Sequence, residues 1–280
     1  MVNSRVYRKA EPEPVDRKTA LVREEGFLER FTGNINNTPA IFNPLDGKFY
    51  DASVRNRVMR TLDDRSQDVK VLIRKHAERD LMKTYEEMPK NPGVVFEIWH
   101  QQMFANRQLR VVAAAASTSP TEEMIRRGSS ANPARPEDLK RVVDLVASQE
   151  GVFYYIGAFS TTGWTEPCRQ LLVGGNYLVA LSDVAHGAWR TTFAPDARWR
   201  SSMRLFDLAT DEEKIEAIRA FARRQTFALL MDELTEDYVY EELGYPIPVI
   251  REAFEVIASE DRFVRLETAE VPYRLIRVYG

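Results

Sequence analysis

Residues 152–159, Val-Phe-Tyr-Tyr-Ile-Gly-Ala-Phe, carry no charged or amide side chain. A run that is apolar at odd and even positions alike has no face to offer water. It therefore predicts a strand central in a sheet and covered on both sides. The flanking segments supply what such a strand needs. Residues 109–116 read as a buried strand before it. Pro136, Glu137 and Asp138 open a helix whose apolar positions are Leu139, Val142, Val143, Leu145 and Val146, with Gly151 as its stop. After it come a short helix at 165–173, the turn Gly174-Gly175-Asn176, and a strand at 177–184. Trp189 to Phe193 return as a hairpin partner across His186-Gly187. Strand, helix and strand in this order predict a βαβ unit and a mixed α/β class.

The chain has 280 residues, 44% of them hydrophobic and 29% charged, which is enough apolar material for one large or two smaller cores. Four sections follow from the pattern. Residues 1–50 read as a polar tail and a turn-rich loop, with Asn, Gly and Pro dense at 32–48. Residues 51–93 read as a long helical arm. Asp51 or Ser53 caps it, and Val54, Val58, Leu62, Val69, Leu72, Ile73 and Leu81 form its stripe. Residues 94–205 read as the α/β domain, opening with a helix at 94–108 and containing an exposed loop at 117–136. The last section is 206–280.

That last section is organised differently. Thr210, followed three residues later by Glu213, has the reciprocal capping pattern for a helix over 211–225. A second helix is predicted at 226–243, stopping at Gly244. A third starts at Pro246 and Pro248 and carries Val249, Ile250, Ala253, Phe254, Val256 and Ile257. Two strands, 262–267 and 273–278, close the chain. The residues Glu241-Glu242-Leu243-Gly244-Tyr245-Pro246-Ile247-Pro248, then Val249-Ile250-Arg251-Glu252-Ala253-Phe254, with the terminal hairpin as wing, resemble a winged helix-turn-helix module. The resemblance implies a third helix that enters the DNA major groove and a wing that touches phosphate. Its contact residues here would be Arg251, Arg262, Arg265, Arg274 and Arg277. Charge opposes the DNA version. From Thr226 to Glu260 there are nine acidic residues against one basic, a net of -8, whereas duplex binding requires cations that displace counterions. A protein-contact role stays equally open.

Chemistry is less legible. Ser160, Thr161, Thr162, Gly163, Trp164, Thr165 and Glu166 follow the strongest strand and precede a helix, at the sheet edge where open α/β folds hold ligands. The candidate ligand-binding positions are Ser160, Thr161, Thr162, Gly163 and Thr165. The loop has neither the Walker spacing nor GxGxxG. A plain reading is a capped turn, with Thr165 capping the helix and Glu166 at its positive end. A metal nuclease of the PD-(D/E)xK type would draw on Asp144, Glu150, Glu166 and Asp183, but no lysine stands in position. His76, His100 and His186 have no metal-ligand spacing, and no GxSxG elbow precedes Ser160. Cys168, the single cysteine, lies early in the 165–173 helix, where a helix dipole would lower its pKa. No catalytic residue, metal or cofactor is expected.

The net charge is -3, and Lys plus Arg total 39, of which 30 are Arg. One thiol and no apolar run of spanning length predict a cytoplasmic chain with no membrane partner. The leading expectation is a non-enzymatic nucleic-acid-associated or regulatory factor whose C-terminal module docks DNA or a protein. The alternatives are a phosphate- or nucleotide-binding protein or enzyme using the Ser160–Glu166 loop, and an assembly protein that forms homo-oligomers.

Overall fold

The computed structural model describes residues 15, 17–62, 71, 93–101, 106–118, 132–185, 187–193, 202, 204–228, 232–261, 264–268 and 273–278. The fold is mixed α/β. Its centre is a six-stranded sheet with spatial order β3-β4-β5-β6-β7-β8. These strands are β3 (Arg57–Thr61), β4 (Gly93–His100), β5 (Gln108–Ser117), β6 (Phe153–Phe159), β7 (Tyr177–Ala185) and β8 (Ala188–Thr192). The first three form an antiparallel meander, β5, β6 and β7 run parallel, and β8 turns back against β7. Every residue of β6 is buried, and the strand lies between β5 and β7, as its unbroken apolar run requires.

Two layers cover this sheet. On one face lies α1 (Arg17–Asn36), whose Phe27 ring stacks on Phe159 at 5.1 Å and whose Phe31 ring stacks on Phe206 at 5.3 Å. The same core takes in Ile35 and Tyr155. A separate hairpin of β1 (Ala40–Asn43) and β2 (Lys48–Asp51) extends this layer, tied down where the Tyr155 hydroxyl donates to Phe42 O at 2.9 Å. On the other face α2 (Pro136–Val146) buries Leu139, Val142, Val143 and Val146 among Val112, Ile156 and Val179. Leu145 points to solvent.

The structure revises the N-terminal third. Residues 17–36 are a helix and 40–51 a hairpin, in place of tail and loop. The signal was Ala20, Phe27, Phe31 and Ile35, all fully buried and one or two helical turns apart. The helical arm is not what residues 51–62 form. They end β2, turn, and make β3, while most of the expected stripe lies outside the described residues. Val54 and Val58 are exposed, so they define no core-facing stripe. The helix expected at 94–108 is instead β4 and the start of β5. Val94, Val95, Phe96 and Ile98 are all buried, which suits a strand covered on both faces. Among the described residues the sheet thus begins with β3 at residue 57, ahead of the first strand expected at 109.

The C-terminal section contains α3 (Asp211–Ala222), β9 (Glu233–Thr235), α4 (Glu236–Leu243), α5 (Ile247–Glu260), β10 (Val264–Thr268) and β11 (Tyr273–Arg277). Thr210 and Glu213 cap α3 reciprocally. A π-helical turn, Arg223–Ala228, continues α3. The single helix expected at 226–243 does not form. Leu234 is fully buried in β9 opposite Leu275, and Thr235 accepts from Tyr238 N to cap α4. Gly244 ends α4 at φ +70, a conformation that favours glycine. The three strands pair in the order β10-β11-β9, and Ile218, Phe221, Val239, Leu243, Ile250 and Phe254 form a core beneath them.

Candidate functional site

Ser160 leaves β6 with its amide donating to Ser182 O at 3.0 Å, and the chain then turns back on itself. Gly163, at φ +81, donates to Ser160 O at 3.2 Å. The loop's polar groups are spent on its own walls. Thr162 Oγ1 donates to Asn132 O at 2.9 Å, and the Trp164 indole donates to Ser182 O at 2.9 Å. The amide and hydroxyl of Thr165 both donate to Ala134 O, at 3.0 and 3.1 Å. Thr165 stands at the N-cap position, but its side chain makes no cap bond, because Ala134 O takes it. The helix that follows is a six-residue 3-10 turn, Glu166–Leu171, and offers no extended dipole to an anion. One group in the loop remains: Thr161 is 2% exposed, and its enclosed hydroxyl has no hydrogen-bond partner among the described residues. The five candidate residues lie within six positions of one loop, but they do not converge as donors around an open anion seat.

Beside this loop is a group that the sequence reading did not assemble. Asp183 on β7 faces Arg190 on β8, two strands joined by a tight hairpin. The guanidinium donates through Nε and Nη2 to the two carboxylate oxygens, at 2.8 and 2.7 Å. The side chains are 6% and 28% exposed for Asp183 and Arg190. The third donor, Nη1, reaches Glu242 O at 3.2 Å, at the end of α4. Tyr245, in the next turn, donates its hydroxyl to Trp189 O at 2.7 Å. Burial raises the Tyr245 pKa, with the nearby acidic charges of Asp207 and Glu213 adding to it. One arginine therefore links the loop side of the sheet to the C-terminal section. The hairpin register carried the signal: a turn centred on 186–187 places 183 opposite 190.

The remaining chemical candidates scatter. Asp144 is exposed and pairs with Lys140, and Glu166 pairs with Arg169 at 3.4 Å. Glu150 sits in an exposed turn, while Asp183 is committed to Arg190. The buried residues of β5 are Val111 to Ser117 and include no carboxylate or lysine. Among the described residues no three His, Cys, Asp or Glu side chains gather to hold a metal ion. His100 packs against Tyr50 at 5.3 Å, and His76 and His186 lie outside the described residues. Cys168 is buried, and burial pushes its thiol pKa up, the reverse of the dipole expectation. Among the described residues no helix is long and apolar enough to cross a membrane.

The basic residues assigned to a nucleic-acid or partner contact are largely occupied. Arg251 on α5 grips Glu236 through two bonds, 2.7 and 3.0 Å, and lies over the Tyr273 ring at 5.5 Å. The Arg251 hydrogen bond holds the Glu236 pKa below the usual carboxylate value. Arg274 on β11 bridges Glu267 and Glu233. Arg277 is half-buried, and its amide donates to Asp232 O at 2.9 Å. Arg265 is exposed on β10, and Arg262 lies outside the described residues. The exposed charges of α4 and α5 are Asp237, Glu241, Glu252, Glu255 and Glu260 with Arg251, and Tyr240 stands exposed among them. Comparison of the chain with protein-family models, with curated proteins and with solved structures gave no match.

Proposed function

We propose that this chain is a non-enzymatic regulatory factor, and that its C-terminal section is a winged-helix-type module that docks a basic protein surface. The order α3, β9, α4, α5, β10, β11, with the three strands paired β10-β11-β9, supports the module reading. The observation that carries the choice of partner is the outer face of α4 and α5. It presents five carboxylates, of which Glu260 is paired with Arg219 and Glu255 accepts from the Tyr273 hydroxyl, and its one arginine is already bonded to Glu236. A duplex would meet net negative charge there and would have to break that pair before Arg251 could reach a phosphate. A lysine- or arginine-rich protein surface meets complementary charge. Arg190 and Tyr245 fix the start of the turn before α5 against β8, so the face is held in place relative to the sheet.

The test uses the full chain and fluorescence anisotropy at low and moderate salt, with a labelled basic peptide and a labelled DNA duplex. Wild type binds the peptide and not the duplex, and Glu252→Lys with Glu255→Lys loses the peptide. Duplex binding by wild type that is lost in Arg265→Ala with Arg274→Ala would replace this reading with the DNA one.

A second reading rests on the enclosed hydroxyl of Thr161, unpartnered among the described residues: the Ser160–Glu166 loop as a small-ligand site. A thermal-shift screen against phosphate, nucleotides and divalent metals separates it. A shift that disappears in Thr161→Val supports it, and no shift with any of them removes it.

A further inference from the structure

Eleven large hydrophobic side chains are exposed among the described residues, and five of them, Leu45, Phe49, Val54, Val58 and Met59, fall within residues 45–59. Scattered exposed hydrophobics are ordinary, but a concentration in one short segment marks a contact surface. The segment comprises the tip and outer strand of the β1–β2 hairpin, the following turn, and β3. Among the described strands, β3 is the edge of the six-stranded sheet. Val58 pairs with Glu97 and Met59 with Phe96. Neighbouring residues of a strand project to opposite faces, so each side of this edge carries one exposed apolar side chain beside an arginine. It is a short strand of five residues that carries two arginines, Arg57 and Arg60, and no proline.

The same region is basic. Lys48, Arg55 and Arg107 are exposed, Arg60 is exposed and paired with Glu97, and the Arg107 guanidinium donates to the Arg55 backbone carbonyl at 2.8 Å, which ties residue 107 to the turn before β3. Two of the local carboxylates are already engaged: Asp51 accepts from Ser53 and Asn56, and Glu97 from Arg60. The chain thus carries an apolar-centred basic surface at β3 and, around Tyr240, an acidic surface on α4 and α5. These are the two halves of an interface with an apolar middle and a charged rim. They cannot meet within one chain. The C-terminal section is pinned to β8, the opposite edge of the sheet from β3, and five strand spacings separate those edges by about 24 Å.

We infer that the β3 edge docks the acidic α4–α5 face of a second copy of this chain, head to tail. This rests on the reading of that acidic face as the docking face, and it names the partner. The contact uses different patches on the two copies, so association continues beyond a dimer unless the geometry closes a ring.

Sedimentation of the full chain between about 0.05 and 0.5 M salt tests it, because screening weakens a charge-rimmed contact as the Debye length shrinks. Wild type associates with rising concentration at low salt and dissociates at high salt. Two surface variants separate the halves: Arg55→Glu with Arg107→Glu at the edge, and Glu252→Arg with Glu255→Arg at the face. Each alone stays monomeric, with an unchanged circular dichroism spectrum. Mixed, they associate, because the intact acidic face of the first fits the intact edge of the second and the reversed edge of the first meets the reversed face of the second. A wild type that is monomeric at low salt overturns the inference. So does association that survives either reversal, or a mixture that stays monomeric. If the chain is monomeric yet still binds the basic peptide, the self-docking inference fails and the protein-docking reading stands.

Discussion

Replacing Asp183 with alanine removes one half of an enclosed ion pair between β7 and β8 whose arginine also reaches the C-terminal section. With its side chain 6% exposed, the carboxylate accepts two hydrogen bonds from Arg190, whose remaining donor holds Glu242 O. Breaking a buried pair by removing one partner costs 3–5 kcal/mol, because the other charge stays desolvated. Arg190 is 28% exposed and regains some water, so Asp183→Ala falls at the low end, about 3 kcal/mol. Arg190→Ala strands the deeper charge and also releases Glu242 O, which brings its cost to about 4 kcal/mol. The double variant strands no charge and so loses less than Arg190→Ala alone, which leaves a coupling of at least about 3 kcal/mol. Urea unfolding of the four proteins at neutral pH measures the cycle. Hydrogen exchange at the Gly244 amide, bonded to Tyr240 O at 2.8 Å, reports whether the end of α4 loosens with it. A loss below about 1 kcal/mol for Asp183→Ala, or additive single effects, would mean that the pair behaves like a solvated surface contact, and would refute the claim that it holds Arg190 in place against Glu242.

Three other outcomes are expected. The Arg30 hydrogen bonds, opposed by burial and assisted by the Thr210 amide, pull the Glu213 pKa from 4.5 to about 2. Stability from this depressed carboxylate is therefore fully present above pH 4.5 and is lost as pH falls toward 2. Glu213 is 44% exposed, so after allowance for screening Glu213→Gln costs about 1 kcal/mol at pH 7. That difference disappears near pH 2 in acid-unfolding curves, and a gap that persists there contradicts the assignment. Gly157→Ala puts a methyl group 2.5 Å from the Phe206 ring and 3.2 Å from Phe27. Both rings are core-locked, so it destabilises by about 2–3 kcal/mol in urea unfolding, and a neutral result would mean that Phe206 moves freely. Cys168, buried and with its thiol pKa raised, reacts with a thiol reagent only along the unfolding transition; stoichiometric labelling of the native chain would contradict its burial.

How much of this was legible in the sequence depended on whether the signal was local. The position of β6 followed from eight residues, the α3 cap from Thr210 and Glu213, and the end of α4 from Gly244, since each is decided by chemistry within a turn or a strand. The α1 helix was missed because its apolar stripe is interrupted. Glu24 stands on the buried face at 1% exposure, and Gly26 and Gly33 lower helix propensity. The strand β4 was misread because Val94 to Trp99 carry apolar residues on both faces, a pattern that length and periodicity cannot separate from a buried helix. The three residues of β9 carry almost no pattern of their own. They become a strand because β11 offers them a partner.

The site followed the same division. The Ser160–Glu166 loop is where the end of β6 put it, but what it can bind depends on residues 132–134, which cross it from thirty positions earlier in the chain and absorb its donors. The arginines of the C-terminal section teach the stronger lesson. Named one by one, Arg251 and Arg274 looked like phosphate contacts. Counted with their neighbours, they stood in a strongly acidic section, and folding gave each of them a carboxylate. A charge that is already paired at bonding distance contributes little to a new partner, because docking must first recover the energy of the pair it breaks. The net charge of a segment therefore predicts its partner better than the positions of its cations, and for α4 and α5 that balance points to a basic surface rather than a phosphate backbone.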